Sequence, residues 1–388
     1  MLEINNFFHG TRIIEGYGVL EQTGSEAKQV GAKKALIVTD DFLAKTDIYQ
    51  TLKQSLDDAG VASVLATNVK PNPRATDCDE MAAFAKEENV DLVIALGGGS
   101  AMDQAKTVAA ILTNGKTAVD WGDVELEKPI MNLFCIPTTS GTGSEVTFCA
   151  VITDTKRQYK MTVGDPINMI PTLAICDPAV TLNLPKKLTA ACGVDALTHA
   201  IEAYTVKVHQ PITDALAIKA IEMISQNIVK AYENGTDKDA RRNMMLASTI
   251  AGMAFISSNV GAVHAIAETV GAWFDTPHGV ANSLFLPYVM EYNIPACPSR
   301  LADVAKALGV VREAGMSDED YAKAGVEFVK DLNRQLCIPT LKELTEISVD
   351  KFEQIAERSA ENVLSNDNAR EINKENYLEI LNKAYKGE

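Results

Sequence analysis

The stretch VDLVIALGGGSAMDQAK, residues 90–106, decides how the first half of the chain is read. Its apolar run up to Leu96 has the pattern of a parallel strand buried on both faces. The run leads straight into Gly97-Gly98-Gly99-Ser100, and a helical pattern follows from about 100 to 112. Glycines allow a backbone to approach a ligand closely. A helix N-terminus behind them offers free N–H groups and the positive end of a dipole, which suits a pyrophosphate. Ser100 and Asp103 match an S-x-x-D capping pattern, which places the helix start at Ser100. The competing reading of a lone GGGS is a plain tight turn between strand and helix.

Outward from this stretch the same alternation recurs. KKALIVTD (33–40), SVLATNV (63–69) and NLFCIP (132–137) read as strands, and 46–58 and 76–88 as helices. Strands alternating with helices imply a parallel, Rossmann-like sheet with crossover helices on both faces. Further short strands are expected near 148–153, 159–163 and 172–176. After Pro185 the texture changes to Ala-, Met-, Leu-, Glu- and Lys-rich helical patterns. These are broken by Pro211, Asn234-Gly235, Pro277, Pro295 and Pro339. The expected architecture is an α/β domain over 1–184 and an all-α domain over 185–388. The last stretch, NDNAREINKENYLEILNKAYKGE, reads as an amphipathic helix with a solvated face.

A second polar loop follows the strand at 132–137: Pro137-Thr138-Thr139-Ser140-Gly141-Thr142-Gly143-Ser144-Glu145. No Lys follows its glycines, so it is not an NTPase phosphate loop. A Ser/Thr-rich surface loop is the plain alternative. Two such loops after strands of one sheet favour a nucleotide, because ligands bind at strand carboxyl ends. Asp40 closes the strand at 33–40. A carboxylate there can accept from ribose hydroxyls and favour NAD over NADP, and the adjacent Asp41 can play the same part. In the usual fingerprint the glycines precede the acid; here the acid comes first.

The formal charge of -16 argues against nucleic acid, which needs a basic face. The seven cysteines are scattered singly, with no C-x-x-C pair, and read as small buried residues of a reducing compartment. The N-terminus lacks a signal-peptide pattern, and no uncharged apolar run reaches 18 residues. A cytoplasmic location and no membrane partner are expected.

Three of the five histidines fall in two patterns of the helical half. Asp195 and His199 are four apart, on one face of a helix. His264 lies in a helical pattern, and His278 follows the break at Pro277. One carboxylate and three imidazoles, without thiolate, suit Fe(II), Zn or a similar first-row ion. Taken singly, the pair is an ordinary helix-face contact, His264 an interior histidine and His278 a turn residue. His9 and His209 carry no such pattern.

Read together, these fragments resemble the iron-containing (group III) alcohol dehydrogenase family, part of a dehydroquinate synthase-like architecture. The likeness runs through LIVTDDFL (36–43), NPRA (72–75), LGGGSAMDQAK (96–106), PTTSGTGSE (137–145), CDPAVTLNLP (176–185), GVDALTHAIEAY (193–204) and HAIAETVGAWFDTPHGVANSLFLP (264–287). It implies a dinucleotide-binding α/β domain, a metal-binding helical domain and an active site in the cleft between them. It implies that Asp195, His199, His264 and His278 ligate the metal. Gly97, Gly98, Gly99 and Ser100 become the pyrophosphate loop, with Asp103 beside it. Thr138, Thr139, Thr142 and Ser144 line the nucleotide, Asp40 selects NAD, and Lys160 contacts the cofactor. Iron is the expected ion, with zinc or manganese compatible, and a homodimer or larger homo-oligomer is expected.

Two departures from the family pattern stand out. Many relatives carry a second histidine where this chain has Glu268, four residues after His264. Glu268, on the helix face of His264, then becomes a proton relay or a group behind the metal, and the ligand His278 counts with it as catalytic. Its negative charge makes an anionic substrate less natural; a helix-surface pair is the plain alternative. Cys192 replaces a usual Thr or Ser and reads as a packing exchange.

The implied activity is reversible hydride transfer between nicotinamide and a small primary alcohol or aldehyde. Functionalised aldehydes such as lactaldehyde, 3-hydroxypropionaldehyde or sulfoacetaldehyde are alternatives. Glycerol dehydrogenase-like and dehydroquinate synthase-like readings are disfavoured by the three histidines, and a non-catalytic nucleotide-binding protein by the intact ligands and loops.

Overall fold

The computed structural model describes residues 6–157 and 159–387. The chain divides into two compact units. One comprises Phe8–Thr139 and Gly143–Leu184; the other takes in Ser140–Thr142 and the chain from Pro185 onward.

The first unit is built on a six-stranded sheet whose pairings are all parallel. Its strands are β1 (Arg12–Glu15), β2 (Lys34–Val38), β3 (Ala62–Ala66), β4 (Leu92–Gly97), β5 (Leu133–Pro137) and β8 (Leu173–Cys176). Two more, β6 (Cys149–Asp154) and β7 (Tyr159–Gly164), form a separate antiparallel pair. Helices α1 (Thr23–Gln29), α2 (Asp47–Ala59), α3 (Ala75–Glu87) and α4 (Gly99–Asn114) complete it. The expected strands and helices are all present. Two elements were not expected: β1, a four-residue edge strand without a buried position, and the seven-residue α1.

The spatial order is β1-β8-β5-β4-β2-β3. From β2 the chain steps outward to β3. It then returns to place β4 on the other side of β2, and β5 and β8 continue outward. The direction of winding reverses between β2 and β4, and open α/β sheets bind ligands at the carboxyl ends flanking such a reversal. Asp40 follows β2, and Gly97–Gly99 join β4 to α4. The acid therefore precedes the glycines because the glycine loop follows the third strand of this winding, not the first.

The second unit holds α5 (Lys186–Thr205), α6 (Pro211–Glu233), α7 (Lys238–Ser258), α8 (Ala262–Phe274), α9 (His278–Asn293), α10 (Pro298–Ala307), α11 (Asp318–Gln335), α12 (Phe352–Glu361) and α13 (Lys374–Lys386). Between α12 and α13 lies a short turn of helix, Val363–Asp367. Helix α5 is buried on nearly every side from Thr189 to Thr205, the signature of a central helix. It packs against α6, α7 and α9. The breakers act as expected: Pro211 sits in the first turn of α6, and Pro277 caps α9. Pro287 lies inside α9 without ending it.

Candidate metal centre and nucleotide loops

Helix α5 carries Asp195 and His199 one turn apart on the same face. Helix α8 supplies His264, and α9 begins with His278. A Cβ on Gly279 would lie 2.5 Å from the Ala191 carbonyl oxygen. Only glycine therefore lets the start of α9 approach α5 closely enough to bring His278 to Asp195. The four side chains converge: one ligand atom from each lies within 4.8 Å of every other. His278 Nε2 is 3.7 Å from Asp195 Oδ1. The His199 ring stacks on Phe255, with centroids 4.3 Å apart, and stands 4.6 Å from the His264 ring. Asp195, His199 and His264 are buried, while the His278 side chain keeps 41% of its surface open.

Two further residues hold this cluster, and neither was singled out by its sequence pattern. Glu202, a further turn along α5, is 4% exposed. Its Oε2 lies 2.5 Å from His264 Nδ1, and its Oε1 accepts the Val263 N–H at 2.8 Å. Asn282, one turn into α9 and fully buried, donates Nδ2 to Asp195 Oδ1 at 2.7 Å. The same nitrogen lies 3.1 Å from both His264 Nε2 and His278 Nε2. Both had a visible signal: Glu202 is seven residues after Asp195 and Asn282 four after His278, so each shares a helix face with a ligand.

Burial pushes the His199 imidazole down to about 3, so the ring is neutral at pH 7. Burial also opposes ionisation of Asp195, yet the three imidazoles outweigh it and hold its carboxyl below the usual range. For His264 burial is again the largest influence, and the hydrogen bond and charge of Glu202 overcome it and raise the ring. Asn282 Oδ1, enclosed beside the cluster, meets no partner in hydrogen-bond geometry. Buried polar atoms are rarely left without partners. One carboxylate and three imidazoles, without thiolate, fit a first-row divalent ion.

In the α/β unit, Gly98 caps α4 without a side-chain hydrogen bond, and Gly98, Gly99 and Ser100 are half-buried. No side chain caps the first turn, in which the Ala101 and Met102 N–H groups bond the Gly98 carbonyl. A Cβ on Gly98 would come 3.3 Å from Thr139 Oγ1, so the two polar loops touch here. Thr139 and Thr142 are half-buried, and Thr138 is buried. Asp40 uses Oδ1 to accept the N–H groups of Phe42 and Leu43, both at 2.8 Å. Lys160 donates Nζ to Asn72 Oδ1 at 3.0 Å.

One expectation is corrected. The helix starts at Gly99, not Ser100, and Asp103 is no capping partner. Asp103 and Ser144 are engaged with one another inside the α/β unit. Ser144 Oγ donates to Asp103 Oδ1 at 3.1 Å and accepts from Lys106 Nζ at 2.9 Å. The other Asp103 oxygen accepts the Val151 N–H at 3.1 Å. The fully buried Lys106 also reaches Thr147 Oγ1 at 2.7 Å and the Cys149 carbonyl at 2.8 Å. This network ties α4 to β6 from inside, because buried charges persist only when paired.

Glu268 lies one turn beyond His264 on α8, and its Oε2 accepts from Asn362 Nδ2 at 2.8 Å. Its charge favours the protonated His264 ring, after those of Glu202 and Asp195.

Comparison with known proteins agrees with this geometry. Residues 10–178 match the iron-containing alcohol dehydrogenase family, and residues 189–385 match the C-terminal part of the Fe-containing alcohol dehydrogenase family. The chain is 37% identical to a choline dehydrogenase of Bacillus subtilis (strain 168), over 99% of this chain and 96% of that protein. It is 36% identical to an NAD-dependent methanol dehydrogenase of Bacillus methanolicus, over 98% of this chain and all of that one. Among solved structures, an alcohol dehydrogenase from Oenococcus oeni superposes with a TM-score of 0.95 at 36% identity, covering 98% of this chain and all of that one. With both halves matched, the chain belongs to the iron-containing alcohol dehydrogenase family, enzymes that move a hydride between nicotinamide and an alcohol or aldehyde.

Proposed function

We propose that Asp195, His199, His264 and His278 hold the catalytic divalent ion, iron by family, and that the chain interconverts short primary alcohols and aldehydes upon it. The observation that carries this reading is the convergence of the four side chains from three helices. When bound, the ion supplies Lewis acidity toward the substrate oxygen and the nicotinamide supplies or takes the hydride. The remaining work falls to the chain. Burial keeps His199 neutral and able to ligate. Glu202 accepts a hydrogen bond from His264 Nδ1–H and leaves Nε2 for the ion. Asn282 steadies the Asp195 oxygen.

The uncapped start of α4 and the half-buried Thr139 and Thr142 receive the dinucleotide, with its pyrophosphate on the first-turn N–H groups. Asp40 has one oxygen committed to its own turn and the other available to ribose hydroxyls, which favours NAD over NADP. Lys160 stands at a cofactor-facing position by family resemblance. Glu268 carries the substrate proton away, and Glu268→Gln should lower turnover more than metal content. A cytoplasmic location is the reading that seven singly scattered cysteines favour. A homo-oligomer follows from the family resemblance.

The relatives' names span several alcohols and aldehydes, so a functionalised aldehyde is the second reading. The test is an anaerobic panel of aldehydes with NADH and NADPH, on protein reconstituted with Fe(II), Zn(II) or Mn(II). Metal-dependent NADH consumption with short aldehydes supports the assignment. Equal turnover by metal-free protein contradicts it.

A further inference from the structure

Helix α8 and the glycine before it are buried at every position from Gly261 to Gly271 except one, Glu268. That exception lies on the face of His264, one turn further on. Its hydrogen-bond donor is the neutral amide of Asn362, which orients the carboxylate without cancelling its charge. The other two carboxylates at the cluster are enclosed and occupied: Asp195 is held by Asn282, and Glu202 by His264 and Val263. Those two charges match a divalent ion. Glu268 is then the surplus negative charge, half-buried on the face of α8 that carries His264.

We propose that Glu268, positioned by Asn362, selects substrates by charge, favouring a short alcohol or aldehyde whose far end is an ammonium group over one ending in a carboxylate or sulfonate. This rests on the metal-dependent dehydrogenase reading above and names the substrate class of that same site. Between unit charges a few ångströms apart at a partly wet site, attraction for the cation and repulsion of the anion act together. They set a preference of about tenfold or more, which weakens as salt rises.

The experiment compares three alcohols of matched length with the iron- and NAD-loaded enzyme: 3-hydroxypropyl-trimethylammonium, 1-butanol and 3-hydroxypropane-1-sulfonate. The readout is the ratio of kcat/KM for the cation to that for the anion, in which any general loss of proton transfer cancels. Wild type should favour the cation by about tenfold or more. The ratio should fall toward one in Glu268→Gln and invert in Glu268→Lys. A second readout needs no turnover: calorimetric binding of the corresponding carboxamides to NADH-bound protein, with and without metal, should follow the same order. A ratio unmoved by either substitution, or a wild type that favours the sulfonate, overturns the proposal. If 1-butanol is not oxidised either, the dehydrogenase reading fails, and the carboxamide titrations still decide whether Glu268 discriminates by charge.

Discussion

Glu202 Oε2 lies 2.5 Å from His264 Nδ1, with both side chains enclosed. A carboxylate on the far nitrogen of a ligating imidazole fixes its tautomer, orients the ring and strengthens its other nitrogen as a donor. Glu202→Gln keeps the shape and removes the charge. Its metal affinity should fall by about 10–100-fold. Titration of the metal-free protein with Co(II), followed by calorimetry and the visible spectrum, checks this. An affinity equal to wild type would remove Glu202 from the support of the ligand.

Asn282 places one amide nitrogen against Asp195 Oδ1, His264 Nε2 and His278 Nε2. Asn282→Asp exchanges that donor for a second buried carboxylate beside Asp195. Without metal the variant should lose about 3 kcal/mol of stability, the scale of an uncompensated buried charge. Added metal should restore more of its Tm than it adds to wild type, because the ion neutralises the new charge. Thermal melts with and without Zn(II) measure both. Equal metal-induced shifts in the two proteins would contradict the placement of this amide.

Asp40 combines two roles that separate by substitution. Asp40→Asn retains an oxygen for the N–H groups of Phe42 and Leu43 and should leave Tm unchanged. It removes the charge that repels a 2′-phosphate, so kcat/KM for NADPH relative to NADH should rise about tenfold, equivalent to ~1.4 kcal/mol. Asp40→Ala loses the turn as well, at about 1 kcal/mol of stability. Coenzyme kinetics beside denaturant melts distinguish the two, and an unchanged coenzyme ratio in Asp40→Asn would place the ribose elsewhere.

The cysteines supply a test of packing. Burial pushes the Cys135 thiol up to about 12 and raises Cys78 further, so neither forms thiolate at pH 8. Cys337 is exposed. Iodoacetamide on the native protein should label Cys337 while Cys78 and Cys135 stay unmodified until denaturant is added, as read by peptide mass mapping. Native labelling of Cys135 would contradict its burial within the sheet.

Much of the fold was legible in the chain because the central strands are continuous apolar runs ending in glycine or hydroxyl loops. LVIALG is such a run, and β4 is buried throughout. The strand RIIE was not legible, since an edge strand of four residues carries no such run. The Ser100/Asp103 pattern misled because capping is judged from spacing alone. Asp103 already lies inside α4, where Ser144 and the Val151 N–H claim it. Asp195 and His199 announced themselves by helical spacing, but their meeting with His264 and His278 came from family likeness. Glu202 and Asn282 sit in the same quoted motifs. They escaped because their role depends on which helix packs opposite, a property of the tertiary fold.

The most direct test of the central claim is metal content and NADH-dependent aldehyde reduction measured side by side for wild type and His264→Ala, after purification and reconstitution with Fe(II) under anaerobic conditions. Four ligands sharing one ion predict that the variant loses bound iron and activity together while its helical circular dichroism persists. Full iron occupancy in His264→Ala, with activity retained, would contradict the account.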